Sequence, residues 1–113
     1  MSGQEAPKPG ALDLDSSRGE GGLVTLTLRG ELDLAGVPGL EERLAEIEQE
    51  GVERIAIDIS ALSFIDSSGL RVLLLADGRA RERGHELLLT QPTEPVRRVL
   101  EMTGALDLLR FRT

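Results

Sequence analysis

Asp66, Ser67, Ser68 and Gly69 stand in a row, and an apolar run opening with Leu70 follows at once. Asp is a preferred helix N-cap, so this order predicts a helix start with two serine hydroxyls in its first turn. Backbone N–H groups are unpaired there and the helix dipole is positive, which favours a phosphate at that position. The same four residues also read as an ordinary satisfied cap. A hydrolase reading would join Ser67 to Asp66 and His85. The chain has no Gly-x-Ser-x-Gly elbow, however, and nothing in the sequence aims His85 at a serine. His85 follows Gly84 in a predicted turn and reads as a surface residue. Neither a Walker loop nor a Gly-x-Gly-x-x-Gly motif is present, so nucleotide binding has no independent support.

The elements that must position the serines follow from periodicity. Ile55, Ile57 and Ile59 alternate with Ala56 and Asp58, the period of a strand, so a strand and a short connection deliver the helix of Asp66. That helix is expected to end near Gly84. Upstream, Leu12–Asp15 and Leu23–Leu28 alternate across a glycine-rich gap and predict an antiparallel hairpin, with Gly30–Asp33 ending its second strand. Pro38, the spacing of Leu40, Leu44 and Ile47, and Gly51 predict a helix over Val37–Gln49. Glu86–Thr90 reads as a short buried strand. Thr93 is placed to cap a further helix with Val96, Val99 and Leu100 inward and Gly104 as its stop. Leu108–Arg112 reads as a last strand. The order ββαβαβαβ predicts an α/β domain with a mostly parallel mixed sheet, right-handed crossovers and an N-terminal antiparallel hairpin. Residues 1–11, rich in Pro, Gly and polar side chains, read as a disordered tail, leaving 12–113 as one domain.

In such a sheet the turns after parallel strands gather at one edge, where ligands and partners bind. Gly30–Asp33 and Phe64–Leu70 are two such turns, so they are expected to share a surface. Asp33 reads as the cap of the next helix, as a partner contact, or as both. Asp58, inside a strand, reads as hydrogen-bonded or solvent-facing. Along the helix after Ser67, Leu70, Leu73 and Leu74 share the face expected to pack on the sheet. Val72 and Leu75 point nearly the other way, beside Arg71 and Arg79. They read either as scattered exposed aliphatics or as an apolar contact strip.

Composition narrows the function classes. At 113 residues, with 40% hydrophobic and 29% charged, the chain has the make-up of one folded domain. A net charge of -7 and only two aromatic residues, Phe64 and Phe111, argue against nucleic acid, which needs basic patches and stacking platforms. The same acidity disfavours anionic membrane surfaces. No cysteine is present, which excludes disulfides and thiolate chemistry. No metal or cofactor site is expected. The N-terminus lacks the apolar core of a signal peptide, and no stretch approaches the roughly 20 apolar residues of a membrane span, so a cytoplasmic location is expected.

Taken together, Gly30–Asp33, Ile57–Ser60 and Phe64–Leu70 resemble the STAS domains of bacterial anti-sigma factor antagonists, and Pro95–Gly104 resembles that family's third helix. The likeness runs over about Leu12 to Phe111. It implies a non-enzymatic partner switch. The unphosphorylated protein, a monomer when free, would bind an anti-sigma factor that is also a GHKL-type serine kinase, and so release a sigma factor. The resemblance makes Ser67 the phosphoacceptor, with Ser68 as the second candidate, since spacing alone does not choose between them. A PP2C-type phosphatase would restore the active form. Partner contacts are expected from Asp33, Asp66, Ser68, Gly69, Arg71, Val72 and Leu75. Two further readings stay open: a STAS module feeding a non-sigma output, and the soluble subunit of a lipid-transport ABC system. A phosphoserine adds about -1.5 to -2 charge, which a helix N-terminus tolerates, so the switch is expected to act at the interface and not on the fold.

Overall fold

The computed structural model describes residues 11–112. The expected tail, apart from Ala11, lies outside the described residues. Four strands, β1 (Asp13–Arg18), β2 (Leu23–Leu32), β3 (Arg54–Ile65) and β4 (Glu86–Leu89), form one sheet in the order β1-β2-β3-β4. The β1–β2 pair is antiparallel, and the β2–β3 and β3–β4 pairs are parallel. Among the described residues there are also three helices, α1 (Val37–Gln49), α2 (Ser67–Arg83) and α3 (Glu94–Thr103), and short 3-10 turns at Leu34–Gly36 and Ala105–Asp107. The predicted mixed α/β sheet with an antiparallel hairpin is therefore present.

Three elements differ from the sequence reading. Strand β3 does not stop at Ile59 but continues to Ile65, because β2 stays paired with it through Leu32↔Ile65 across two register shifts. Gly30 sits at one of these shifts with φ 96°, a conformation that only glycine adopts cheaply. The expected last strand is reduced to one isolated bridge, Leu89↔Phe111, because the chain after α3 first turns through Ala105–Asp107. Thr93 precedes α3 as expected, but its hydroxyl does not cap the helix. It donates to the Leu62 carbonyl at 2.7 Å and ties the start of α3 to β3.

The surface of α2 also differs from the helical-wheel expectation. Val72 is 4% exposed and belongs to the core, whereas Leu75 is 45% exposed. The buried stripe of α2 runs through Leu70, Val72, Leu73, Ala76 and Ala80, wider than a sheet alone would cover. The reason is α1, which packs beside α2 and covers its flank. The two helices are also joined by Glu48, whose side chain is 5% exposed. Arg79 grips it with two parallel bonds, Nε to Oε1 at 3.0 Å and Nη2 to Oε2 at 3.1 Å, and Arg83 adds Nη1 to Oε1 at 3.4 Å. A fork of this kind is directional as well as strong, so it fixes the rotation of α2 against α1. A shallow groove of about 310 Å³ runs between the helices, with Val72 in its wall and Leu75 and Glu41 among its other lining residues.

Burial separates the two aliphatic side chains experimentally. Val72→Ser removes buried methyl groups and introduces a hydroxyl, and is expected to cost about 2 kcal/mol and lower the melting temperature by ~10 °C. Leu75→Ser is expected to stay within about 0.5 kcal/mol of the parent. Thermal unfolding followed by circular dichroism checks both.

Candidate functional site

The register of β2 and β3 builds the site. Leu32 pairs with Ile65, so Asp33 and Asp66 are the next residues on two neighbouring parallel strands. Each ends its strand and caps the helical turn after it. Asp33 accepts from the Ala35 N–H at 3.1 Å and opens the Leu34–Gly36 turn. Asp66 accepts from the Gly69 N–H at 3.0 Å and opens α2. The two turns are bound to each other. The Asp66 N–H donates to the Leu32 carbonyl at 3.1 Å. Gly69 presses on the same residue: a Cβ there would stand 2.5 Å from Leu32 Cγ and 2.9 Å from Leu32 O. No residue but glycine lets the α2 start lie this close to the end of β2.

Asp66 is the electrostatic centre of this edge. Besides the Gly69 N–H, its Oδ1 accepts from Ser68 Oγ at 2.6 Å. The Ser68 hydroxyl is the largest cause holding the Asp66 carboxyl below its ordinary pKa of 3.8, followed by the Gly69 N–H, with a smaller contribution from the Leu34 N–H. The carboxylate is thus ionised across the neutral range. It draws together donors from both turns.

The two serines fall into different environments. Ser68 is half-buried and its hydroxyl is committed to Asp66. Ser67, the first residue of α2, is exposed, and its hydroxyl has no hydrogen-bond partner among the described residues. Arg71 and Leu75 follow Ser67 at successive helical turns and are exposed with it. The structure therefore groups Asp33, Asp66, Ser67, Ser68, Gly69, Arg71 and Leu75 at or beside one edge and removes Val72, which faces the core. Gly69 is buried, so it shapes the surface without offering a side chain to it.

Two apolar residues of this edge escaped the sequence reading. Leu34 is 70% exposed and Phe64 is 45% exposed. Leu34 follows Asp33 directly, and Phe64 pairs with Glu31 in the β2–β3 register. Phe64 carried little signal because burial in β3 beyond Ile59 does not alternate: Ser63 and Phe64 are both exposed between the buried Leu62 and Ile65. Leu34 carried no comparable signal, since a three-residue turn has no period.

The remaining candidates lie elsewhere. Asp58 accepts from Ser60 N at 3.0 Å, Ser60 Oγ at 2.6 Å and Thr90 Oγ1 at 3.0 Å. Its pKa is lowered, chiefly by the Ser60 hydroxyl, and it fastens the end of β4 to β3. His85 is half-buried, with Nε2 lacking a partner, and it precedes β4, whose Glu86 pairs with Arg54 at the start of β3. The 12 residues of β3 separate it from Ser67. That is roughly 35 Å along the strand, so no triad can form. No group of three or more His, Cys, Asp or Glu placed to hold a metal occurs among the described residues. No helix among them is long and apolar enough to cross a membrane.

Comparison with known proteins agrees with this architecture. The STAS domain family model matches residues 16–113. The chain is 32% identical over 80 residues to a Staphylococcus aureus protein named anti-sigma-B factor antagonist, covering 71% of this chain and 74% of that one. An anti-sigma factor antagonist from Mycobacterium paratuberculosis has the same fold, with a TM-score of 0.82, 20% identity and coverage of 94% and 89% of the two chains. The Bacillus antagonist SpoIIAA is 26% identical. Its unphosphorylated structure superposes with a TM-score of 0.72, covering 91% of this chain and 89% of that one. Its phosphorylated structure gives 0.66, with 91% and 92% covered.

Two measurements test the geometry of the edge. Gly69→Ala forces a Cβ into Leu32 and is expected to cost about 2 kcal/mol, far more than an ordinary glycine-to-alanine change within a helix, which stabilises. Chemical denaturation checks it. The second concerns pH. The folded pKa values of Asp66 and Asp58 lie below the unfolded 3.8, so their contribution is complete above about pH 5 and is lost as pH falls through the folded values. The Asp66→Asn, Asp58→Asn double variant is expected to be less stable at pH 7 and to lose less further stability between about pH 5 and pH 2 than the parent.

Proposed function

This chain belongs to the STAS-domain family of anti-sigma factor antagonists, and we propose on that premise that its unphosphorylated form captures an anti-sigma factor and so frees a sigma factor. The partner is of the GHKL serine-kinase type. Ser67 Oγ takes the γ-phosphoryl group of ATP, the bond to ADP breaks, and the hydroxyl proton leaves to a base of the kinase. The phosphorylated antagonist then releases its partner, and a PP2C-type phosphatase returns the serine. The chain itself performs no catalysis, and the exchange takes place in the cytoplasm.

The observation that carries this reading is the contrast between two adjacent hydroxyls. Ser67 is exposed and uncommitted at the first position of α2, while Ser68 is half-buried and bonded to Asp66. An acceptor hydroxyl must enter a kinase site free of competing bonds, which favours Ser67. Around it lie the parts of a small interface: exposed Leu34, Phe64 and Leu75, the cation of Arg71, and the carboxylates of Asp33 and Asp66. Aromatic and aliphatic anchors beside a few charges are what such contacts need.

The same geometry gives the switch a physical basis. An added phosphate at the start of α2 sits at the positive end of the helix, where its charge is tolerated. It also enters a surface that must be stripped of water in the complex, beside the ionised Asp66. A desolvated like-charge contact of that kind costs about 2 kcal/mol or more, so affinity for the partner is expected to fall at least ~30-fold.

Incubation with candidate GHKL kinases and ATP, followed by mass spectrometry, tests the assignment. Phosphate is expected on Ser67, lost in Ser67→Ala and retained in Ser68→Ala. Titration of the kinase with the two forms is expected to show tight binding only without phosphate. Phosphate confined to Ser68, or equal affinity of the two forms, would overturn the reading.

A further inference from the structure

Helix α2 carries four arginines, and three are already paired. Arg79 and Arg83 hold Glu48, and Arg81 Nε holds Asp77 Oδ2 at 2.8 Å. Arg71 is the exception, exposed and with no ion pair among the described residues. Its helical neighbours explain why. The residues three and four positions on are Leu74 and Leu75, and those three and four positions back are Ser68 and Ser67. The nearest carboxylate along the helix, Asp66, is already engaged by Ser68 and Gly69.

We propose that Arg71 is the built-in counter-ion of a phosphate on Ser67, an inference that rests on the reading of Ser67 given above. Residues four apart on a helix face each other, with a rise of about 6 Å between them. The Cα–Cβ bond of a helical residue tilts toward the N-terminus, so the Arg71 side chain is set to reach back toward Ser67. An anion preceding a cation by four residues is also the more favourable order along the helix dipole. A guanidinium matches two phosphate oxygens at once, which a lysine cannot do.

Phosphorylation then makes two changes together. It adds negative charge to the partner surface, and it turns the one α2 cation left unpaired among the described residues inward along the helix, away from any acidic group that a partner would offer. The phosphorylated domain keeps its fold because part of the added charge is paired within α2 itself.

The test needs no kinase, which separates it from the preceding proposal. Phosphoserine is introduced at position 67 during translation, and the second ionisation of the phosphate is followed by phosphorus NMR against pH. Removing the cation in Arg71→Gln is expected to raise that pKa by ~0.5 relative to the parent. Arg71→Lys is expected to recover part of the difference, because the charge returns without the fork. Coincident titrations of the parent and Arg71→Gln would overturn the proposal. So would an Arg71→Lys protein that recovers none of the difference, since the effect would then not be one of charge.

Discussion

The close approach of α2 to the end of β2 governs the functional edge. It consists of one hydrogen bond, Asp66 N–H to the Leu32 carbonyl, and one absent side chain, at Gly69. Remove the space at Gly69 and the helix start must lift from β2. Asp33 and Asp66 would separate, and the Leu34 N–H would no longer contribute to the Asp66 carboxylate. The exposed hydroxyl of Ser67 depends on the same contact, because the contact sets which way the first turn of α2 faces.

The rest of the structure holds that turn still. The Glu48–Arg79–Arg83 fork fixes α2 against α1, and Val72 is buried in the core at the wall of the groove between the helices. Asp58 and Thr93 bind β3 to the end of β4 and the start of α3. Each of these contacts limits how far α2 can shift against the sheet and α1. In the proposed switch such a scaffold would carry a chemically altered rim and would not work as a hinge, with the signal passing through the surface. Charge is distributed accordingly. The arginines of α2 that brace the fold are paired, and the one beside the serines has no ion pair among the described residues.

Much of this was legible in the sequence, for identifiable reasons. Helix α1 was readable to its ends because Pro38, the spacing of Leu40, Leu44 and Ile47, and Gly51 all point to the same element. The Asp66 cap and the Gly84 stop marked α2 in the same way. Strand β3 was cut short because its second half pairs through register shifts that break the alternation of Ile55–Ile59. Phe64 consequently lost its assignment to the exposed face. Val72 was misplaced because a helical wheel shows one buried face, whereas α2 is covered on two sides, by the sheet and by α1. The final strand failed because Leu108–Arg112 is apolar enough for a strand but too close to the turn after α3 to make more than one bridge. The different environments of Ser67 and Ser68 could not come from spacing, since they depend on which hydroxyl Asp66 claims.

In the proposed switch a phosphate on Ser67 acts at the rim and leaves the fold intact. Backbone amide NMR spectra of the protein carrying serine or phosphoserine at position 67 test it most directly. Shift changes are expected only in the two turns and the first half of α2, about residues 31–36 and 64–75. Changes spread across β1, β4 and α3 would show a rearranged fold and contradict it.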